Sequence, residues 1–294
     1  MTPAAEIPLN RNSSTQATPW MALAWFATLI ALCYGPVLIH LVSQWNSDED
    51  MGHGFFVPIL AAYIAWQKRD EFLAVPAKPN WLGLALVIYA GLQLWIATLG
   101  AELFLSRTAI VLSIIGAVLF LGGTKRARVM AFPLFLLFFM IPIPAILYNQ
   151  ITFPLQLIAS RVAEWALMVI GIPVLREGNI LELAGQKLSV VEACSGIRSL
   201  LTLSFLSLVY GYFFETKTWL RVVLFLSTVP IAIVANASRV TVTGIIADSR
   251  PELAHGLFHT AEGFVIWIVS ITILATFHQM VDKIYKVLHA QRAE

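Results

Sequence analysis

Long apolar stretches separated by short polar segments dominate this chain of 294 residues. A helix that crosses a membrane needs about 20 mostly apolar residues. The pattern predicts eight such spans, of which the second is shorter than the others. They are Trp20–Val42, Phe55–Gln67, Trp81–Leu99, Leu103–Gly122, Val129–Leu147, Gly196–Phe214, Leu220–Ala247 and His259–Val281. The predicted fold class is therefore all-α, a polytopic membrane helical bundle that forms one domain over residues 1–294.

A different pattern covers residues 148–170, where polar residues recur at every fourth position. The stripe consists of Thr152, Gln156, Ser160 and Glu164. Such spacing places all of them on one face of a helix, and Arg161 is positioned to pair with Glu164. The pattern predicts an interfacial amphipathic helix lying at the membrane surface rather than a ninth span.

The segment Pro173–Glu192 is the one long part of the sequence that has the character of a soluble region. The dipeptides Gly178-Asn179 and Gly185-Gln186 are typical of turns. The runs Ile180–Leu183 and Leu188–Val191 have strand-like composition. We predict a small β-ribbon here, so residues 148–193 are expected to form an interfacial helix followed by a ribbon.

Composition narrows the class of protein further. Apolar residues make up 59% of the chain and charged residues only 12%, whereas soluble domains carry about 25% charged residues. This excludes a soluble domain, and it excludes a disordered chain, which needs low hydrophobicity. The chain contains 19 Lys and Arg residues and 17 Asp and Glu residues, so no basic surface for nucleic acid is expected. Two cysteines cannot form a disulfide framework.

The distribution of basic residues predicts the orientation in the membrane. With a cytoplasmic N-terminus, 12 of the 19 Lys and Arg residues fall in inside segments and five in outside segments. Positive residues concentrate on the cytoplasmic side of membrane proteins. We therefore predict N-in and C-in, with residues 1–19 and 283–294 as cytoplasmic tails and residues 148–193 on the periplasmic side.

Cys194 is a candidate nucleophile because it stands where the outer segment meets the sixth span. A helix N-terminus favours a thiolate. An alternative interpretation is a small packing residue next to Ser195 and Gly196.

Arg239 lies inside the seventh span, on one helical face with Asn236 and Thr243. Charged residues inside a span are costly, and they usually face the bundle interior and serve a function. The alternatives are an arginine that extends to the lipid headgroups, or one that neutralises a structural acid.

His259 begins the eighth span on the same side of the membrane. Glu262 lies on the same helical face as His259, and His255 is one turn earlier. Either histidine alone is also compatible with an ordinary interfacial residue.

The predicted topology places Cys194, Arg239 and His259 in the outer half of the membrane on three consecutive spans. A thiol, an imidazole and a guanidinium suit acyl transfer: the histidine activates the thiol or protonates the leaving amine, and the arginine stabilises the oxyanion. Two further residues are expected nearby. Arg198 either pairs with Glu192 or contacts substrate, and His53 lines the same cleft. Zinc and phosphate-loop motifs do not occur in the sequence, so neither a metal nor a cofactor is predicted.

The residues around these three positions resemble a known family. The run Glu192-Ala193-Cys194-Ser195-Gly196-Ile197-Arg198-Ser199, the run Asn236-Ala237-Ser238-Arg239-Val240, and His259 followed by Gly263 are similar to the signature blocks of the exosortase/archaeosortase family. His53-Gly54 and Pro58 resemble its N-terminal block. The resemblance covers roughly residues 45–280. The gap from His259 to Gly263 favours His259 over His255 as the matching histidine.

The resemblance implies about eight transmembrane helices and a Cys–Arg–His active site that faces the periplasm from a bacterial inner membrane. It also implies the substrates, which are secreted proteins ending in a short Pro-Glu-Pro-type motif, a transmembrane helix and a basic tail. Cys194 would attack near that motif and form a thioester. The implied partners are the lipid bilayer, these sorting-signal helices and exopolysaccharide machinery.

Two other functions are compatible with the residues. One is a transporter or flippase for a polysaccharide precursor, in which Arg239 binds an anionic group. The other is a structural membrane subunit of a polysaccharide synthase, which would tolerate substitution at all three sites.

Overall fold

The computed structural model describes residues 20–184, 187–190, 197–249 and 257–290, and most of the chain is helical. Within these ranges the α-helices are α1 Trp20–Ser47, α2 Phe56–Gln67, α3 Arg69–Ala74, α4 Trp81–Leu99, α5 Leu103–Val129, α6 Ala131–Leu136, α7 Ala145–Ile170, α8 Ile197–Phe214, α9 Thr218–Ser249 and α10 Leu257–Ala290. Two 3-10 helices cover Glu49–Phe55 and Leu137–Met140. The strands are β1 Val174–Glu177, β2 Ile180–Leu183 and β3 Lys187–Ser189.

Five helices in the described part of the chain are long and apolar enough to cross a membrane. They are Ala24–Ser47, Trp81–Leu99, Leu103–Val129, Ala145–Ile170 and Thr218–Ser249. The predicted second and sixth spans correspond to shorter helices, α2 and α8. The all-α class and the multi-pass character are confirmed, whereas the count of about eight spans is not.

The predicted fifth span, Val129–Leu147, is wrong as one continuous helix. The segment consists of α6, the 3-10 helix Leu137–Met140, and a non-helical stretch that contains Pro142 and Pro144 before α7 begins. Proline lacks the backbone N–H that a helix needs and disfavours helical geometry in the residue before it. The two prolines therefore divide the apolar run into two helices.

The chain divides into two compact units. The first contains residues up to Val42 together with Phe56–Ile141, and thus α2 to α6 and most of α1. Within it, α4 and α5 pack along each other. The Tyr34 hydroxyl of α1 lies 2.8 Å from the Ser113 hydroxyl of α5, so a buried polar contact joins these helices as well.

The second unit contains Ser43–Phe55 and Pro142–Glu294, and its central element is the antiparallel pair α8 and α9. Two contacts define how this pair is aligned. The hydroxyls of Ser204 and Thr228 are 3.2 Å apart, and a Cβ added at Gly211 would lie 3.5 Å from the Arg221 side chain. Both contacts give the same register. Helix α9 also packs against α7 and α10.

The predicted ribbon is present as a three-stranded antiparallel sheet in the order β1-β2-β3. Glu177 pairs with Ile180, which leaves Gly178-Asn179 as a two-residue turn, and Gly178 has the positive φ of +66° that such turns require. The prediction of β2 is confirmed. Strand β3 occupies Lys187–Ser189 rather than Leu188–Val191. Strand β1 was missed because Arg176, a charged residue, occupies its inward-facing side.

The polar stripe of α7 faces this sheet instead of water. Thr152, Gln156 and Ser160 are buried. The Ser160 hydroxyl donates to the Gly178 carbonyl at 3.1 Å, and the Asn179 amide donates to Gln156 Oε1 at 3.1 Å. The stripe is real, but it serves to attach the sheet. The sheet therefore covers the polar face of α7 at Gln156 and Ser160, and the location of this helix at the membrane surface stays a prediction.

The charged end of the stripe makes the same kind of contact. Glu164 accepts a hydrogen bond from Arg176 Nε at 2.8 Å, so its ion-pair partner in the structure is on β1 and not the predicted Arg161.

The sheet, α7 and α9 also share one hydrophobic core. It contains Ala163, Leu167, Leu181, Leu183, Leu188, Val190, Val240 and Ala247. The sheet is thus held against the C-terminal half of α9.

Candidate functional site

The residues predicted to form the site divide into those that the structure describes and those that it does not. Glu192, Cys194, Ser195, Gly196 and His255 lie outside the described residues. Helix α10 contains His259 and Glu262, but their side chains also lie outside what is described. The side chains of His53, Arg198, Asn236 and Arg239 are described.

Arg239 lies on the buried face of α9. Its exposed fraction is 8%, and those of Asn236 and Thr243 are 5% and 2%. The spacing of these three residues predicted a common face, and the structure buries that face within the second unit. We call these three residues the Arg239 face.

The register of α8 and α9 places this face along the hairpin. In this antiparallel pair, Ser204 is opposite Thr228. Ile197 precedes Ser204 by as many residues as Ala235 follows Thr228, so Ile197 and Ala235 are also opposite each other. Asn236 and Arg239 follow Ala235, so they are level with the N-terminal end of α8 and the turn just beyond it. The sequence interpretation expects Cys194 just before this end.

A second contact supports the same placement. Val240, which follows Arg239, shares a hydrophobic core with Val190. Val190 is itself held by a backbone hydrogen bond to the carbonyl of Asn179, at 3.0 Å. The described residues on both sides of segment 191–196, Val190 and Ile197, are therefore close to the level of Arg239.

Arg198 is held by residues that sequence reasoning did not identify. Its Nε donates to Asp50 Oδ1 at 2.8 Å, and the hydroxyl of Tyr148 donates to Asp50 Oδ2 at 2.5 Å. We call these three residues the Asp50 bridge. It connects the 3-10 helix Glu49–Phe55, α7 and α8. The acidic run Asp48-Glu49-Asp50 was the signal in the sequence, but nothing local indicates that its partner is 148 residues away.

His53 approaches the same helix one turn further on. It is 7% exposed, its Nδ1 lies 3.5 Å from the Thr202 hydroxyl, and its ring lies 6.3 Å from that of Phe205. The following Gly54 explains how the segment fits. A Cβ at Gly54 would lie 2.4 Å from the Trp45 indole nitrogen, so only glycine lets this ring lie across the backbone.

The opposite end of the hairpin buries a second polar group, which we call the Glu215 cluster. It contains Tyr210, Glu215, Arg221 and His278. His278 Nε2 donates to Glu215 Oε2 at 3.1 Å, and Tyr210 and His278 Nδ1 are 3.0 Å apart. Arg221 donates through Nε and Nη2 to the Glu215 carbonyl, at 2.8 and 2.6 Å. These bonds tie α8, α9 and α10 together.

The electrostatics of Glu215 follow from these bonds. Burial disfavours its carboxylate, but hydrogen bonds from the backbone N–H of Lys217, from His278 and from the backbone N–H of Thr216 outweigh that effect and lower the pKa of Glu215. The carboxylate is therefore the preferred form in the folded protein.

An open cavity of about 520 Å³ lies along the first half of α7. It is lined by Asn149, Gln150, Thr152, Phe153, Pro154, Gln156 and Asn179. Its polar groups are neutral amides and a hydroxyl, which bind peptide groups or hydroxyls rather than ions. Among the described residues, no three His, Cys, Asp or Glu side chains are grouped so that they would hold a metal ion.

A family comparison covers the range in which these positions lie. The sequence pattern of transmembrane exosortases matches residues 45–276, a range that includes His53, Cys194, Arg239 and His259. The chain belongs to the transmembrane exosortase family. Because the match covers most of the chain, the resemblance in the signature blocks is confirmed as membership.

Exosortases are multi-pass membrane proteins, and the family is generally one of cysteine proteases and transpeptidases. No curated protein and no solved structure matches this exosortase. Its match begins at Trp45, the residue whose ring covers Gly54 in the second unit.

Proposed function

We propose that this exosortase is a membrane-embedded cysteine protease or transpeptidase that cleaves the C-terminal sorting signals of secreted proteins. Its substrates end in a short Pro-Glu-Pro-type motif, a transmembrane helix and a basic tail. The observation that carries the proposal is the alignment of α8 and α9, because it brings the buried Arg239 level with the end of α8 that follows Cys194 in the sequence.

In the proposed reaction, the Cys194 thiolate attacks the carbonyl carbon of the peptide bond at the sorting motif. His259 supplies the proton that the leaving amine needs, and Arg239 donates hydrogen bonds to the oxyanion. The product is a thioester on Cys194, which water or an acceptor amine resolves. Among the neighbouring residues, Glu192, Ser195, Gly196, His255 and Glu262 are proposed as supporting groups.

The Asp50 bridge supports this assignment because it restrains Arg198, four residues after Cys194. An ion pair combined with a tyrosine hydrogen bond limits the rotation of the first turn of α8. A nucleophile at a helix N-terminus needs a rigid helix, since small displacements of a reacting group are costly to the rate. His53, which lies against Thr202, restrains the following turn.

The cavity along α7 suits the extended part of such a substrate. Amide side chains such as Gln156 and Asn179 donate to and accept from peptide groups, and Phe153 offers an apolar surface for a proline ring. We propose that the chain segment next to the sorting motif binds here while the substrate's own helix stays in the bilayer.

The proposed site faces the periplasm of a bacterial inner membrane, with both termini in the cytoplasm. The bias of Lys and Arg supports this orientation. The exposed charges of the sheet indicate that water lies next to the C-terminal half of α7, because Lys187 is 70% exposed beside Glu182. Labelling of Cys194 in intact cells with a membrane-impermeant maleimide tests the orientation, and Cys33→Ser removes the other thiol. Failure to label Cys194 unless the inner membrane is opened would contradict it.

The decisive experiment is a processing assay in cells that produce a reporter with such a sorting tail. Cys194→Ala and Cys194→Ser are both expected to leave the reporter at full length, whereas Cys33→Ser is expected to process it normally. A mature reporter in the Cys194→Ala strain would refute the protease function.

The buried guanidinium of Arg239 inside a candidate span also favours a second function, a transporter or flippase for an anionic polysaccharide precursor. That function predicts that Cys194→Ala still exports polysaccharide while Arg239→Ala does not. The proposed link between the protease and exopolysaccharide export predicts instead that both substitutions impair it through the unprocessed substrate.

A further inference from the structure

On the Arg239 face, the side-chain amide of Asn236 has no hydrogen-bond acceptor in the part of the chain that the structure describes. The side-chain amide nitrogen Nδ2 of Asn236 is buried, and no hydrogen-bond acceptor for it lies among the residues that the structure describes. Other polar side chains of α9 satisfy themselves locally, as when Ser238 donates to the Val234 carbonyl at 2.8 Å and Thr241 to the Ala237 carbonyl at 2.9 Å. A buried N–H without an acceptor is costly, so it calls for an acceptor that arrives with a ligand.

The position of Asn236 indicates which ligand atom that acceptor is. Asn236 is three residues before Arg239 on the same buried face, and it is level with the N-terminal end of α8. The unpaired N–H groups at a helix N-terminus favour negative charge. Three sources of positive potential are therefore near one level: the amide of Asn236, the guanidinium of Arg239 and the first turn of α8.

We propose that Asn236 Nδ2 is a second oxyanion donor, which binds the carbonyl oxygen of the peptide bond that the exosortase cleaves. This inference rests on the proposed function. It assigns Asn236 a catalytic role, because its amide contacts the reacting oxygen. Arg239 contributes charge and Asn236 a neutral, fixed donor, and together they complement an oxygen that gains a negative charge.

The step that this donor assists is balanced as follows. His259 takes the proton of the Cys194 thiol, a bond forms between the thiolate sulfur and the carbonyl carbon, and the electron pair of the carbonyl double bond moves to the oxygen. Asn236 and Arg239 bind that oxyanion. When the intermediate collapses, the carbonyl double bond re-forms, the bond between carbon and nitrogen breaks, and the amine leaves with a proton from His259.

A nearly isosteric apolar substitution separates this role from a structural one. Asn236→Leu in the full-length, detergent-solubilised exosortase removes the donor and also removes a buried polar group without a partner. We expect kcat for a reporter carrying the sorting tail to fall about 10²- to 10³-fold with KM within a few-fold. We expect the unfolding temperature to stay the same or to rise. A lower unfolding temperature with an unchanged kcat per folded molecule would overturn the proposal.

Ser207 provides the matched control. Its hydroxyl is also buried without a partner among the described residues, but it is about one turn beyond Ser204, on the side away from the start of α8. Ser207→Ala is expected to keep the kcat of the native chain. If neither the native chain nor Ser207→Ala cleaves the reporter, the proposed function is wrong, and so is this inference, which rests on it. If both cleave it and Asn236→Leu does so equally fast, only the role of Asn236 fails.

Asn236→Asp provides a readout that a packing role would not change. A carboxylate at this position repels the oxyanion, whereas the protonated carboxyl regains a donor. The ratio of the variant's kcat to that of the native chain should therefore increase as the pH is lowered. A ratio that stays constant with pH would overturn the assignment.

Discussion

The two ends of the α8–α9 hairpin both bury polar side chains, but they use them differently. In the Glu215 cluster, carboxylate, imidazole, hydroxyl and guanidinium groups bind one another. On the Arg239 face, the amide of Asn236 has no acceptor among the described residues. A polar network that is fully satisfied stabilises a fold, whereas one that is left incomplete costs stability, and at the level of the proposed site a ligand can complete it. We therefore expect substitutions at one end to change stability and at the other to change activity.

The largest effect is expected at Arg239. Arg239→Ala removes the proposed charged donor to the oxyanion, and the processing rate per folded molecule should fall about 10²- to 10³-fold, or about 3–4 kcal/mol in transition-state free energy. The measurement is kcat of the purified chain on a reporter with the sorting tail. Arg221→Ala, an arginine of the Glu215 cluster, is the control and should keep the native rate. A rate within tenfold of native for Arg239→Ala would break the comparison.

The next largest effect is expected at Glu215. Glu215→Ala leaves His278 and Tyr210 without their buried carboxylate, and the free energy of unfolding should fall by about 3 kcal/mol. The rate per folded molecule should not change. Glu71→Ala, which breaks an exposed ion pair with Lys68, should cost at most about 1 kcal/mol. Chemical unfolding in detergent measures both. Equal losses of unfolding free energy in the two variants would show that the Glu215 cluster does not stabilise the fold.

The lowered pKa of Glu215 predicts how this end responds to acid. A carboxyl whose pKa is lower in the folded state contributes stability above its unfolded pKa and loses it as pH falls through the folded value. The native chain should therefore lose unfolding free energy below about pH 4.5, by at most about 1.4 kcal/mol for each unit by which the pKa is lowered. In Glu215→Gln this part of the pH dependence should be absent. Superimposable acid profiles of the two proteins would argue against it.

A smaller effect is expected at the Asp50 bridge, which holds the first turn of α8. Asp50→Asn keeps the shape but removes the charge that holds Arg198, and the processing rate should fall about tenfold, or about 1–2 kcal/mol. Asp48→Asn is the control, because an asparagine oxygen still accepts the hydrogen bond from the Asp50 backbone N–H. If the two variants process the reporter equally well, the bridge does not position α8.

The smallest effects come from a matched pair of tyrosines, each worth about 1 kcal/mol. Tyr148→Phe removes the hydroxyl that binds Asp50, and it should lower the processing rate about fivefold. Tyr210→Phe removes the hydroxyl that binds His278, and it should lower the unfolding free energy without changing the rate. If Tyr148→Phe lowered only the unfolding free energy and Tyr210→Phe lowered only the processing rate, the comparison between the two ends would be wrong.

Several parts of the fold followed from local patterns. Helical periodicity placed Asn236, Arg239 and Thr243 on one face, and that face is buried. The turn dipeptides Gly178-Asn179 and Gly185-Gln186 beside two strand-like runs predicted the ribbon, although they did not reveal β1. The prediction of a single span over Val129–Leu147 was wrong for a local reason as well. It followed the apolar composition of this run and did not take into account that Pro142 and Pro144 interrupt a helix.

Other parts required knowledge of which segments meet. The stripe on α7 is the clearest example, because its periodicity predicts a polar face but not what covers it. Water at a membrane surface and the polar edge of a sheet satisfy the same groups. The sheet that contacts Gln156 and Ser160 follows α7 in the chain, and only packing turns it back onto that helix.

The sequence by itself determined that this exosortase is a helical membrane protein with a thiol, a guanidinium and an imidazole in its signature blocks. Those properties depend on apolar run length and residue spacing, which are local. The tertiary structure decided that Arg198 pairs with Asp50, that His278 binds Glu215, and that Asn236 is level with the start of α8. Such partners are distant in the chain, and only the packing of the helices brings them to the same level in the bundle.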